Sequence, residues 1–80
     1  MRNVTLKKGL AILETVAAQA RDFSLSEVAQ LTGLDKSDAC RLLRTLVSTG
    51  YVTQDPRNRQ YRVGLRTLDL SASLLSRTEP

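Results

Sequence analysis

Eighty residues with 41% apolar and 25% charged side chains, a net charge of +4, one cysteine, no tryptophan and no histidine set firm bounds. A chain this short is one domain or part of one, with little interior to spare for a catalytic cavity. No apolar run approaches a membrane span, and Met1-Arg2-Asn3-Val4-Thr5 lacks the apolar core of a signal peptide. Cys40 alone forms no internal disulfide and, without histidine, no common zinc site, so the expectation is a cytoplasmic, non-enzymatic module with no cofactor, no metal and no membrane partner.

Leu6, Leu10, Leu13, Val16 or Ala17, and Ala20 recur at helical spacing and predict a first helix over about Thr5 to Ala20. Arg21-Asp22 then interrupt it, and Phe23 to Leu25 alternates apolar and polar, enough for a very short strand. Ser24, with Glu27 three residues on, has the spacing of a capping box and predicts the start of a second helix carrying Val28, Ala29 and Leu31 on its apolar face. Gly33 lies where a left-handed residue ends that helix. A third helix follows at once, with Asp35 as its expected N-cap and Asp38 near the positive end of its dipole. Ala39, Leu42, Leu43, Leu46 and Val47 form its apolar half, and Gly50 closes it.

After Gly50 the period falls from 3.6 to 2. Tyr51-Val52-Thr53-Gln54 and Gln60-Tyr61-Arg62-Val63 read as two strands joined by the polar turn Asp55-Pro56-Arg57-Asn58-Arg59, with Asp55 capping the turn. Gly64 breaks the second strand, and Leu65, Leu68, Ala72 and Leu75 mark a last amphipathic helix. The fold class is therefore mainly α with a small β-hairpin. A short helix, a glycine-containing turn and a longer helix form a helix-turn-helix, and the hairpin adds a wing.

The charge is unevenly placed. Basic and acidic side chains balance at five each over residues 1–40, whereas Arg41 to Arg66 holds six arginines against Asp55 alone. Arginine forks suit phosphates and guanine edges, which points to a polyanion-binding face. On the third helix Ser37, Arg41, Arg44 and Ser48 lie within about 60° of one another, opposite the apolar half. Cys40 borders that face, with Lys36 one turn before it. Lys36, Ser37, Asp38, Cys40, Arg41, Arg44 and Thr45 are the candidate DNA-reading residues. Arg57, Arg59 and Arg62 of the wing suit phosphate or minor-groove contact, and Ser24 and Ser26 could meet a phosphate at the start of the second helix. The simpler readings are a solvated basic surface, arginines paired with Asp38, serines that only cap, and a winged-helix protein-interaction module that never meets DNA.

Leu25-Ser26-Glu27-Val28-Ala29, Thr32-Gly33-Leu34-Asp35-Lys36-Ser37, Arg41-Leu42-Leu43-Arg44-Thr45-Leu46, Gly50-Tyr51-Val52 and Tyr61-Arg62-Val63-Gly64 resemble the N-terminal DNA-binding domain of IclR-type bacterial transcription regulators. Leu6-Lys7-Lys8-Gly9-Leu10-Ala11-Ile12-Leu13 is similar to that family's first helix. The resemblance implies a winged helix-turn-helix over residues 4–64, with the helix-turn-helix at about 25–44 and the wing at about 51–63. It implies a linker helix and tail over 65–80 and an effector-binding domain that is absent, so a small-molecule effector would act only through that missing domain. It also implies a homodimer aided by Leu6, Leu10, Leu68 and Leu75, double-stranded DNA of approximately palindromic sequence as partner, and a nucleoid-associated location when bound. Asp38 and Cys40 depart from the family pattern, which usually has threonine or serine and a larger side chain, often histidine, at those positions.

Overall fold

In the computed structural model, which describes residues 3–77, Asn3 opens the first helix by accepting the Leu6 N–H on its side-chain oxygen at 2.9 Å. Helix α1 (Val4–Ala17) ends three residues before the expected Ala20. Ala17, Ala18, Gln19 and Ala20 are all exposed, so further turns would bury nothing, and the chain instead bends to deliver Phe23 to the core. The expected strand at Phe23–Leu25 contracts to one antiparallel bridge between Phe23 and Tyr61, because the next helix has already started at Leu25.

Helix α2 (Leu25–Thr32) begins with the full capping box: the Glu27 N–H donates to Ser24 Oγ at 3.1 Å and the Ser24 N–H to Glu27 Oε1 at 2.9 Å. Gly33 ends it at φ 75°, a left-handed value that a side chain would resist. Helix α3 (Lys36–Thr49) follows. Asp35 occupies its N-cap position, but its side chain makes no capping hydrogen bond, contrary to expectation. Strands β1 (Val52–Gln54) and β2 (Tyr61–Val63) pair antiparallel in the register Val52 with Val63, Thr53 with Arg62 and Gln54 with Tyr61. Each is one residue shorter than its alternating pattern suggests. Helix α4 (Leu65–Arg77) leaves the end of β2.

The core comprises Ile12 and Val16 of α1, Phe23, Val28 and Ala29 of α2, Ala39 and Leu43 of α3, and Val52 and Tyr61 of the hairpin. Full burial of a Val, Leu, Ile or Phe side chain stabilises by roughly 1.5–3 kcal/mol, so this cluster holds three helices and the wing as one unit. Phe23 joins them: its backbone N–H donates to Tyr61 O at 2.8 Å, it accepts the Tyr61 N–H at 2.7 Å, and the Arg21 guanidinium lies 3.9 Å above its ring. Helix α4 is fastened at its root, where Thr67 Oγ1 donates to Tyr51 O at 3.1 Å and the Arg66 N–H to Gly50 O at 3.2 Å. Leu65, Leu68, Leu70, Leu74 and Leu75 remain exposed along it.

Candidate nucleic-acid interface

The outward side of α3 follows from its inward side. Ala39 and Leu43 are buried against the core, so the helical period turns Ser37, Arg41, Arg44 and Ser48 to solvent, and all four are exposed. Lys36 and Thr45 are exposed beside them, and Thr45 Oγ1 donates to Arg41 O at 3.3 Å. Cys40 is half-buried and its thiol is free. Burial, chief among the causes, pushes the Tyr61 phenol above its usual 10.0, with Cys40 adding to the rise and the charges of Arg59 and Arg44 opposing it. Leu43 of α3 shares the core with Val52 and Tyr61 of the hairpin, and α3 packs on β1, which sets the two basic elements side by side.

The wing tip is built by its own polar groups. Asp55 Oδ1 accepts the Arg57 N–H at 2.8 Å, and this bond, chief among the causes, holds the Asp55 carboxyl below its usual 3.8. Asn58 Oδ1 accepts the Gln60 N–H at 2.9 Å, and Gln54 Nε2 donates to Arg59 O at 3.1 Å. These bonds hold Arg59 at φ 65°, the one left-handed residue other than glycine among those described.

The candidate cations divide by what they already touch. Arg41 Nη2 donates to Asp38 Oδ1 at 2.7 Å, while Lys8 Nζ of α1 sits 3.3 Å from Asp38 Oδ2. Arg62 Nη2 is 2.9 Å from Asp22 Oδ2, which draws it to the loop between α1 and α2. Arg57, 90% exposed, is loosely associated with Asp55 at 3.6 Å. Lys36, Arg44 and Arg59 make no side-chain hydrogen bond or ion pair among the described residues. Of the two serines, Ser24 spends its hydroxyl on the capping box, while Ser26 is exposed in the first turn of α2. Sequence reasoning overlooked Lys8 and Asp22. They lie 30 and 40 residues from their partners, and no local pattern announces either pair.

A second feature lies beside this face. Leu6, Gly9 and Leu10 of α1 with Leu42, Thr45 and Leu46 of α3 line an open apolar groove of about 500 Å³.

Residues 5–56 match the family model described as the IclR helix-turn-helix domain. The chain belongs to that family. XynR of Escherichia coli K12, an HTH-type transcriptional regulator, is 34% identical over 65 residues, covering 81% of this chain and 26% of its own length. The glycerol operon regulatory protein of Streptomyces griseus is 36% identical over 75 residues, covering 92% of this chain and 30% of its own length. Among solved structures, an IclR family transcriptional regulator from Brucella abortus matches with a TM-score of 0.87 at 31% identity, over 96% of this chain and 29% of that one. HmgR of Pseudomonas aeruginosa matches with a TM-score of 0.88 at 26% identity, over 96% of this chain and 32% of that one. The chain thus spans only 26% and 30% of the lengths of the two regulators it matches in sequence. The winged helix read from the sequence is the fold of these IclR structures, and the matched relatives are named as transcription regulators, not enzymes. No helix among the described residues is long and apolar enough to cross a membrane.

Proposed function

We propose that this chain is the DNA-reading part of an IclR-type transcription regulator, with α3 in the major groove of double-stranded DNA and the wing on the backbone or minor groove. The packing of α3 against the hairpin, with Leu43 sharing one core with Val52 and Tyr61 while Arg44 and Arg59 stay exposed outside it, supports this most directly. Lys36 and Ser37 stand at the end of α3 that meets DNA first, and Cys40 and Thr45 border the reading face. Arg41 and Arg44 can fork onto guanine O6 and N7, a contact worth roughly 1–3 kcal/mol of base discrimination. Arg57 and Arg59, with Ser26 and the free N–H groups at the start of α2, suit phosphates, which add affinity and register but little sequence choice. Arg62 reaches DNA in this reading only by releasing Asp22.

The reading extends to a homodimer on an approximately palindromic site. Exposed Leu6 and Leu10 along the α1–α3 groove, and exposed Leu68 and Leu75 on α4, support a second copy on those faces. Residues 4–64 form the DNA-reading unit, and α4 serves as the linker to the effector-sensing part that a longer regulator carries. Location in the cytoplasm, on the nucleoid when bound, follows from this role.

Titrating the chain against a pool of random duplexes at two salt concentrations tests the reading. A dimer neutralising roughly six phosphates gives a slope of log K against log salt near −5. Arg41→Ala and Arg44→Ala relax base preference, whereas Arg57→Ala and Arg59→Ala weaken binding to all sequences alike. The competing reading is a protein-interaction module, for which the apolar α1–α3 groove is the natural surface. A chain that shifts no duplex at low salt belongs to that second class.

A further inference from the structure

The acidic residue at the α1 edge of the reading face, Asp38, stands out physically, because a carboxylate there repels phosphate and opposes the arginine beside it. Its two oxygens are both engaged. Oδ1 accepts from Arg41 Nη2 at 2.7 Å, and Oδ2 lies 3.3 Å from Lys8 Nζ, which comes from α1 and not from α3. The Asp38 side chain is 27% exposed against 77% for Arg41, so the carboxylate is the fixed member and the arginine the projecting one. An i, i+3 pair on an open helix face is weak and mobile. Here a cation on a second helix pins the carboxylate from behind, which makes it a fixed anchor for the guanidinium.

We infer that Asp38 is a specificity-determining positioning residue: anchored by Lys8, it holds the Arg41 fork through one Nη2 N–H and leaves the other donors to read a base. A guanidinium has five N–H donors in a rigid plane, and two suffice for O6 and N7 of guanine. Fixing the plane before contact removes rotamer freedom that a free arginine would lose on binding. It also restricts the fork to one orientation, which turns a general cation into a base reader. This rests on the proposed role of Arg41 as a reading residue.

The test starts from a duplex selected out of a random pool by the unmodified chain, together with its single-base variants. Arg41→Ala identifies the base position read by that side chain. Asp38→Asn keeps the shape but removes the anchor charge, and it lowers preference at the same position by roughly tenfold. Its affinity for random duplex is unchanged or higher, since a repulsive charge is gone. Combining Asp38→Asn with Arg41→Ala costs no more preference than Arg41→Ala alone. Lys8→Met, on α1 and outside the set of reading residues, gives a smaller loss at the same position and decides the matter should Asp38→Asn lose helix by circular dichroism. If Asp38→Asn and Lys8→Met keep or sharpen the preference that Arg41→Ala abolishes, Asp38 is no anchor and the inference is overturned while Arg41 stands as a reader. If Arg41→Ala alters no base position, the reading of Arg41 fails and the anchor falls with it.

Discussion

The junction at Gly64 offers a test in which one added methyl group has a magnitude set by geometry. A Cβ built there stands 2.3 Å from Gly50 O and 3.0 Å from the carbonyl carbons of Gly50 and Tyr51. All three atoms are backbone, so no side chain can swing aside. Relief has to come from the segment where the Gly64 N–H donates to Tyr51 O at 2.9 Å and the Arg66 N–H to Gly50 O at 3.2 Å. Overpacking that side chains can absorb costs about 1–3 kcal/mol, and a backbone collision belongs at the upper end, about 3 kcal/mol. A domain of this size has roughly 4–12 kcal/mol in all, so Gly64→Ala still folds but melts some ~10–20 °C lower. Gly9→Ala is the matched control: nothing lies within 4 Å of its added Cβ in the middle of α1, and the better helix former stabilises by about 0.5–1 kcal/mol. Urea unfolding followed by far-ultraviolet circular dichroism reads both, with m unchanged if the transition stays two-state. A Gly64→Ala chain as stable as the parent, or a destabilised Gly9→Ala chain, refutes the reasoning.

Three further perturbations separate stability from binding. Arg59→Gly relieves a side chain held at φ 65°, a conformation costing roughly 1–2 kcal/mol, so denaturant stability rises by about 1 kcal/mol while the salt slope of DNA binding shrinks by ~1 per chain. Glu27 has its carboxyl held below the usual 4.5, chiefly by the Ser24 N–H and then by Arg21; its contribution is therefore present above 4.5 and lost as pH falls through the depressed folded value. Glu27→Gln accordingly flattens the acid limb of a stability–pH curve, and Asp55, shifted in the same direction, leaves part of the slope in place. Phe23→Ala opens a cavity at the joint between wing and helices and costs about 3–5 kcal/mol, seen as a thermal transition shifted to far lower temperature.

The parts of the fold that rest on short-range chemistry are plain in the sequence. Ser24 and Glu27 lie three residues apart and close their capping box as expected, and Gly33 takes the left-handed turn between α2 and α3. The apolar spacing Ala39–Leu43 fixes which way α3 faces, and with it the exposure of Ser37, Arg41 and Arg44. What escaped reading is tertiary. The end of α1 is set by the demand that Phe23 reach Tyr61, a residue 38 positions away that no window around Ala20 contains. The left-handed residue in the wing is Arg59, although Asn58 tolerates that conformation better. Asn58 is needed to accept the Gln60 N–H, and the cost falls on its neighbour. The pairing of Asp38 with Lys8 and of Arg62 with Asp22 is likewise visible only once the helices are packed.

Those partners change what the charge count means. Along the chain, the stretch from Arg41 to Arg66 looks like an unopposed run of arginines, and residues 1–40 look neutral and inert. In the fold, Asp22 and Asp38 of that neutral half reach across to Arg62 and Arg41, so the basic face is partly neutralised from outside its own segment. Of the candidate contact cations without a close ion pair, Arg44 is assigned to a base edge, which leaves Lys36 and Arg59 for phosphate, with Arg57 only loosely held at 3.6 Å. Three such groups on each chain of a homodimer match roughly six neutralised phosphates and a salt slope near −5. Counting every arginine of the segment on each chain would instead demand about twice that slope. A measured slope well beyond −5 thus means that further cations reach phosphate on binding, either Arg44 or the arginines that Asp22 and Asp38 release.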